Sequence, residues 1–219
     1  MIPRLTEYPV HAFRPIGTLV DLGAPDAAEI FFDQIAQGLS KIARFNGKPP
    51  GPAYSVAQHS VMGADALLNE GADHFTAALF LIHDAHEHLI GDWTRPAQQL
   101  IAATIRAESA EAANHFMIAT ARIKDGWDRA ICHAAGLPPP EHWTNARHAA
   151  VHDMDARMLR AEVEALFGPA AARTLPPSNP PKTRGAIKPW PPMKAEEKFN
   201  DMCRLLPIFA GQQPRAARV

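Results

Sequence analysis

The sequence predicts an all-α, single-domain protein, and three observations carry that prediction. Apolar residues recur at helical spacing in segment after segment. Proline- and glycine-rich runs separate those segments, at NGKPPGP (46–52), at GLPPP (136–140) and along the proline-dense stretch 168–193. No alternating strand pattern of any length occurs, and no internal repeat. With 219 residues, 47% of them hydrophobic, the chain is long enough to bury one sizeable core.

The elements follow in order. Residues 1–28 read as an irregular lead-in, punctuated by Pro3, Pro9, Pro15, Gly17, Gly23 and Pro25, with room for a short β-hairpin in HAFRPIGTLVDLG. A first helix is expected from Glu29 to Arg44, with Ile35, Leu39 and Ile42 on one face. A second starts near Ser55 and stops near Gly71. Asp73 can cap a third, running unbroken from Phe75 to Ile90 and closed by Gly91. Pro96 opens a long stretch over 97–124, and a further helix spans Asp125 to Ala135. The next covers 144–167. After the wrapped loop 168–193 comes a last helix, Lys194 to Leu206. Residues 29–206 thus form the helical domain, and 207–219 read as a frayed basic tail.

Composition narrows the function classes. A net charge of −1 gives no broad pull toward nucleic acid or an anionic membrane. No apolar run reaches the length of a membrane span, and MIPRLTEYPVHAFRP carries no hydrophobic signal core. Cys132 and Cys203 lie far apart, which is neither a disulfide framework nor a zinc-knuckle spacing. The expectation is a cytoplasmic protein. Eleven histidines against two cysteines point any metal site toward nitrogen and oxygen ligands.

The chemistry centres on FTAALFLIHDAHEHLIGD. His83 and Asp84 sit side by side in an apolar run, where a plain core would hold neither. A buried carboxylate needs a cation or several donors, and a metal ion also accepts an imidazole nitrogen. On a continuous helix both side chains can turn toward one ion, with Glu87 a turn further on and free for other work. Zinc-peptidase patterns fail, because HExxH would need histidine where Ile90 stands and HxxEH would need it at Asp84. His59 lies among valines and alanines on the preceding helix. In VHDMDARMLRAE, Asp155 falls on the apolar face with Met158, Leu159 and Glu162, while Asp153 is rotated toward solvent. His86, His88 and His152 are not expected among the metal ligands, His152 reading as a surface histidine, and Trp190 reads as part of a loop packed over the bundle.

The order H…HD…D formed by His59, His83, Asp84 and Asp155 resembles the HD-domain metal-dependent phosphohydrolases. The segments RFNG (44–47), YSVAQHS (54–60), HDAHEHLIGDWTRP (83–96), DARMLRAE (155–162) and IKPWPPMKAEEKF (187–199) extend the resemblance over about 30–205. They look like the small bacterial and phage members, similar to 5′-deoxynucleotidases. The resemblance implies an HD-type helical bundle in which His59, His83, Asp84 and Asp155 bind a divalent transition metal (Co, Mn, Fe, Ni or Zn), with additional Mg an option. It implies catalytic carboxylates at Glu87 and Asp92 and a phosphate contact at Arg44. Phe45 stands where those enzymes carry a tryptophan beside the sugar, and Gln98 where a lysine is usual. Arg95 is a second arginine placed to meet phosphoryl oxygens.

A bound divalent metal lowers the pKa of its water and polarises a phosphoryl oxygen. The expected activity is therefore metal-dependent phosphohydrolysis of small nucleotides, with deoxynucleoside 5′-monophosphates as leading substrates. The alternatives are removal of triphosphate from deoxynucleoside triphosphates and a non-catalytic metal- and nucleotide-binding module. The expected partner is a small-molecule nucleotide, with neither nucleic acid nor membrane, and homo-oligomers are common among such relatives.

Overall fold

The computed structural model describes residues 2–206. The fold is all-α, with a single two-stranded sheet among the described residues. The sheet is the hairpin expected in the lead-in. Strands β1 (His11–Phe13) and β2 (Leu19–Asp21) pair antiparallel, with Ala12 opposite Val20. The basic tail expected from residue 207 lies outside the described residues.

Helices α1 (Phe32–Leu39), α2 (Val56–Asn69), α3 (His74–Ile82), α7 (Asn145–Phe167) and α9 (Pro192–Leu205) make the bundle. Helix α2 is its axis. It packs on α3, α7 and α9, and it is buried nearly all round, from Val56 through Leu67. Gly63 lets α3 approach, because a Cβ at that position would overlap the ring of Phe80. Local chemistry sets the helix ends. Ser55, Asp73, Ser109 and Thr144 each accept a backbone N–H from the first turn of their helix.

Three expected boundaries are corrected. The first helix is shorter than 29–44: it begins at Phe32 and ends at Leu39. Beyond it the backbone finds another partner. Val56 donates to Ile42 and Arg44 to Tyr54, at 3.0 and 2.8 Å, so the chain pairs with the entry to α2 instead of coiling on. The stretch 97–135 divides elsewhere than at Asp125. Helix α5 (Arg95–Arg106) stops before Ser109, which caps α6 (Ala110–Ala135), and α6 runs unbroken through Asp125. Gly126 belongs inside it because Pro25 and Leu5 pack where a side chain would stand. The third correction concerns the run Phe75–Ile90. It is two helices, α3 and the single turn α4 (Glu87–Ile90), joined by a tight turn at 83–86.

The proline-dense segment wraps the bundle, as expected, with one short helix α8 (Pro169–Ala172) at its start. Arginines of α7 pin it. Arg157 holds Glu70 through both terminal nitrogens, at 2.8 and 2.6 Å, and donates to the carbonyls of Asn179 and Pro180. Arg160 donates to those of Ala172, Leu175 and Pro176. Further on, the buried amide of Gln58 donates to Lys188 O and accepts from Trp190 N, at 2.9 and 2.8 Å. Among the described residues no helix is long and apolar enough to cross a membrane.

Candidate metal centre

The turn between α3 and α4 builds the centre. From His83 to His88 the backbone bonds run to the third residue back: His83 to Phe80, Ala85 to Ile82, Glu87 to Asp84 and His88 to Ala85. This is 3₁₀ geometry, in which residues three apart stand one above the other. Asp84 and Glu87 therefore share a side, and so do His83 and His86. Glu87 is not a full α-turn away from the pair; it is drawn alongside Asp84. One ligand atom each from Asp84, His86 and Glu87 fall within 4.8 Å of one another.

His59 (α2), His83 and Asp155 (α7) also each present a ligand atom within 4.8 Å of the others. His59 Nε2 lies 3.4 Å from Asp155 Oδ1, His83 Nε2 lies 3.9 Å from it, and Asp84 Oδ2 is 3.2 Å from His83 Nε2. The four expected ligands thus converge from three elements. Each imidazole is oriented by its other nitrogen. His59 Nδ1 donates to Glu162 Oε1 and His83 Nδ1 to Phe80 O, both at 2.6 Å. That leaves Nε2 of each ring as the atom a metal would take in exchange for a proton. Both Nε2 atoms are buried without a well-formed hydrogen bond. Buried polar atoms are almost always paired. Two orphan nitrogens facing two carboxylates make a donor set that fits a divalent transition metal.

Glu162 is the residue that sequence reasoning passed over. It was read as one of the marks of the apolar face of α7. Fully buried, it accepts from His59 and, at 3.1 Å, from Arg44 Nε. Arg44 reaches on to Asp84 Oδ2 at 3.6 Å. Its backbone belongs to a tight turn in which Phe45, Asn46 and Gly47 all have positive φ, at 57°, 52° and 66°. Phe45 stacks edge-on to Phe167 at 5.4 Å, with the Arg44 guanidinium over its ring. A glutamate one turn after Met158 and five residues before the helix ends, on the face read as apolar, was the signal in the sequence.

The charges follow the geometry. Burial opposes ionising Glu162, but Arg44 and His59 outweigh it and hold its carboxyl below the usual range. Burial and Arg44 work against a proton on His59, yet Glu162 and Asp155 raise it. His83 is desolvated too, but the neighbouring Asp84 carboxylate lifts it to about 9. Glu87 moves the other way from an ordinary carboxyl. Burial first, then the charges of Asp84 and Asp92, push it up to about 9. Asp92, just past α4, is raised by partial burial. Arg95 stands exposed at the start of α5 and joins no ion pair among the described residues. His86 stands outside the His59, His83 and Asp155 group. It is buried, its Nδ1 bonds Asp128 Oδ1 of α6 at 2.9 Å, and its Nε2 has no partner. His152 and Asp153 are exposed, as read.

Comparison with known proteins adds little. No family model matches the chain. An uncharacterized protein of Rhodobacter capsulatus is 38% identical over 88 residues, which is 39% of this chain and 45% of that protein. The match therefore spans less than half of either chain.

Proposed function

We propose that the chain is a metal-dependent phosphohydrolase of the HD type acting on small nucleotides, with deoxynucleoside 5′-monophosphates as its substrates. One observation carries the reading: the unpartnered, buried Nε2 atoms of His59 and His83 stand beside the carboxylates of Asp84 and Asp155. When bound there, a divalent metal supplies an acidified water and a Lewis-acidic contact to phosphoryl oxygen.

The protein's own groups supply the rest. Glu162 and the Phe80 carbonyl hold the imidazoles in one tautomer. Arg44 is anchored through Nε and Nη1, and its Nη2 has no protein partner among the described residues, so one arm is left for an anionic oxygen. Glu87 carries a proton at neutral pH in the metal-free protein, and a buried carboxyl of this kind can donate to a leaving alkoxide. Asp92 sits close enough to Glu87 to influence its charge and serves as its acid–base partner. Cys132 and Cys203 are both free thiols, which suits the cytoplasm as workplace.

The test is a screen of deoxynucleoside mono- and triphosphates with Mn²⁺ or Co²⁺, with products separated as orthophosphate or triphosphate. Orthophosphate from monophosphates, lost in Asp84→Asn, is expected. Release of triphosphate alone would reassign the substrate. No release from either class, or full turnover by Asp84→Asn, would sink the reading.

A further inference from the structure

Between the β1–β2 hairpin, α1 and α4 lies a cleft of ≈ 390 Å³ that the metal centre does not use. Helix α1 and the residues just after it supply Gln34, Gln37 and Lys41, α4 supplies His88 and Leu89, and β1 supplies Phe13. The volume suits a small organic molecule. At its base α1 touches α4 directly: a Cβ at Gly38 would meet His88 Cβ at 3.0 Å.

The polar groups of the cleft divide into satisfied and unsatisfied ones. Arg14 is satisfied: it pairs with the Glu29 carboxylate, donates to the Glu29 carbonyl at 3.3 Å and lies over the Phe31 ring. Gln34 and Gln37 are half-buried and one turn apart, and neither side-chain amide has a protein partner among the described residues. Lys41 joins no ion pair among them either. His88 Nδ1 donates to Ala85 O at 2.6 Å, which leaves Nε2 for the cleft. Burial pushes that imidazole down to about 4, so at neutral pH it is uncharged and Nε2 accepts. Arg14 and Lys41 against Glu29 leave one positive charge, on Lys41. A carboxylate balances it, whereas a phosphate monoester brings about −1.5 to −2 at neutral pH. Phe13, 84% exposed, and Leu89 offer apolar surface beside these groups.

We propose that this cleft is an effector site for a small organic monocarboxylate that also carries an N–H donor. The carboxylate meets Lys41 and the glutamine amides, the N–H meets His88 Nε2, and the apolar body covers Phe13 and Leu89. The effect on the metal centre follows from chain connectivity. His88 comes directly after Glu87, and α4 is a single turn that packs on α1 and continues the 83–86 turn. A ligand bridging α1 and α4 braces that turn, which carries His83 and Asp84. It therefore raises metal affinity, and the metal raises its affinity in return. Binding in the cleft stands by itself; only the coupling rests on the metal centre proposed above.

The probe is indole-3-acetate, a flat monocarboxylate with a ring N–H, titrated calorimetrically into the metal-free, full-length chain. It should bind saturably, one per chain. Indole-3-acetamide, without the charge, and 1-methylindole-3-acetate, without the N–H, should each bind about tenfold more weakly or worse. Lys41→Met, a change at an exposed position, should weaken indole-3-acetate to a similar degree. No saturable binding, or equal binding by wild type and Lys41→Met, overturns the site. Phenyl phosphate binding more tightly than indole-3-acetate, and losing that affinity in Lys41→Met, overturns the carboxylate class. With saturating indole-3-acetate, Mn²⁺ should bind wild type about fivefold more tightly or better, and Lys41→Met should lose the gain. An unchanged Mn²⁺ affinity overturns the coupling. If Mn²⁺ does not bind at all, the metal centre fails and the coupling with it, while the carboxylate titration still decides the cleft.

Discussion

Replacing Glu162 by glutamine changes one oxygen to an NH₂ group at the most buried charge of the centre. The carboxylate accepts from His59 Nδ1 at 2.6 Å and from Arg44 Nε at 3.1 Å, with separate oxygens. An amide has one acceptor. Its NH₂ must therefore either meet the guanidinium N–H, donor against donor, or force His59 into the other tautomer, with the proton on Nε2. Breaking one partner from a buried charge pair costs ~3–5 kcal/mol. Glutamine keeps the volume and one of the two bonds, so a loss of ~2–3 kcal/mol is the expected outcome. The metal should feel the change separately. If His59 turns to satisfy the amide, its Nε2 leaves the ligand set, and affinity should fall by about 10- to 100-fold, as for other partners of a liganding histidine. Urea unfolding of the metal-free protein measures the first quantity, and calorimetric titration with Mn²⁺ the second. Glu162→Asp, which preserves the charge, should recover part of the affinity. A Glu162→Gln protein with wild-type unfolding midpoint and wild-type Mn²⁺ affinity would refute the reasoning outright.

Three further outcomes are expected. Gly63→Ala should destabilise the fold by about 1–3 kcal/mol, because its methyl would overlap Phe80. It should also weaken metal binding, since the Phe80 ring lies 4.5 Å from that of His83; unchanged urea unfolding would contradict the packing described. Glu70→Gln should cost about 1–2 kcal/mol at neutral pH by loosening Arg157. Arg157 holds the Glu70 carboxyl below its usual 4.5, so its contribution is present above that pH and lost as pH falls through the folded-state value. The gap between wild type and variant should narrow as pH falls below the usual Glu value of 4.5, and a gap that stays constant through acid would tell against the pair. Gln58→Ala should free the loop at Lys188 and Trp190, and trypsin should cut after Arg184, four residues earlier on the same loop, faster than in wild type. Equal cleavage rates would mean the amide clamp is unimportant.

Much of the scaffold was legible in the sequence because local signals coincided with it. Ser55 and Thr144 cap the helices expected to begin there, and Gly136 closes α6 in the left-handed conformation. The convergence of His59, His83, Asp84 and Asp155 follows from the order of those residues on α2, the 83–86 turn and α7. What was not legible depends on partners distant in the chain. Apolar periodicity runs straight through FLIHDAHEHLI, and nothing local signals that the helix tightens at His83. The tightening coincides with a local bond, His83 Nδ1 donating to the Phe80 carbonyl, and with a tertiary contact, in which a side chain at position 38 of α1 would crowd His88 Cβ at 3.0 Å. Glu162 escaped notice because its spacing matches an ordinary helix face. Its role comes from Arg44 and His59, which meet it only in the folded chain.

The bond between His59 and Glu162 joins residues 103 positions apart. A chain emerging from the ribosome exposes α2 and the 83–86 turn long before α7 is made. Until then His59 has no carboxylate to orient it and Asp155 is missing, so the ligand set stays open. Any cation that needs the full set would bind only after α7 docks, and would then hold α7 against the bundle. Metal supply would therefore act on the docking of α7, and cells short of the ion would accumulate chains with α7 undocked rather than merely inactive ones.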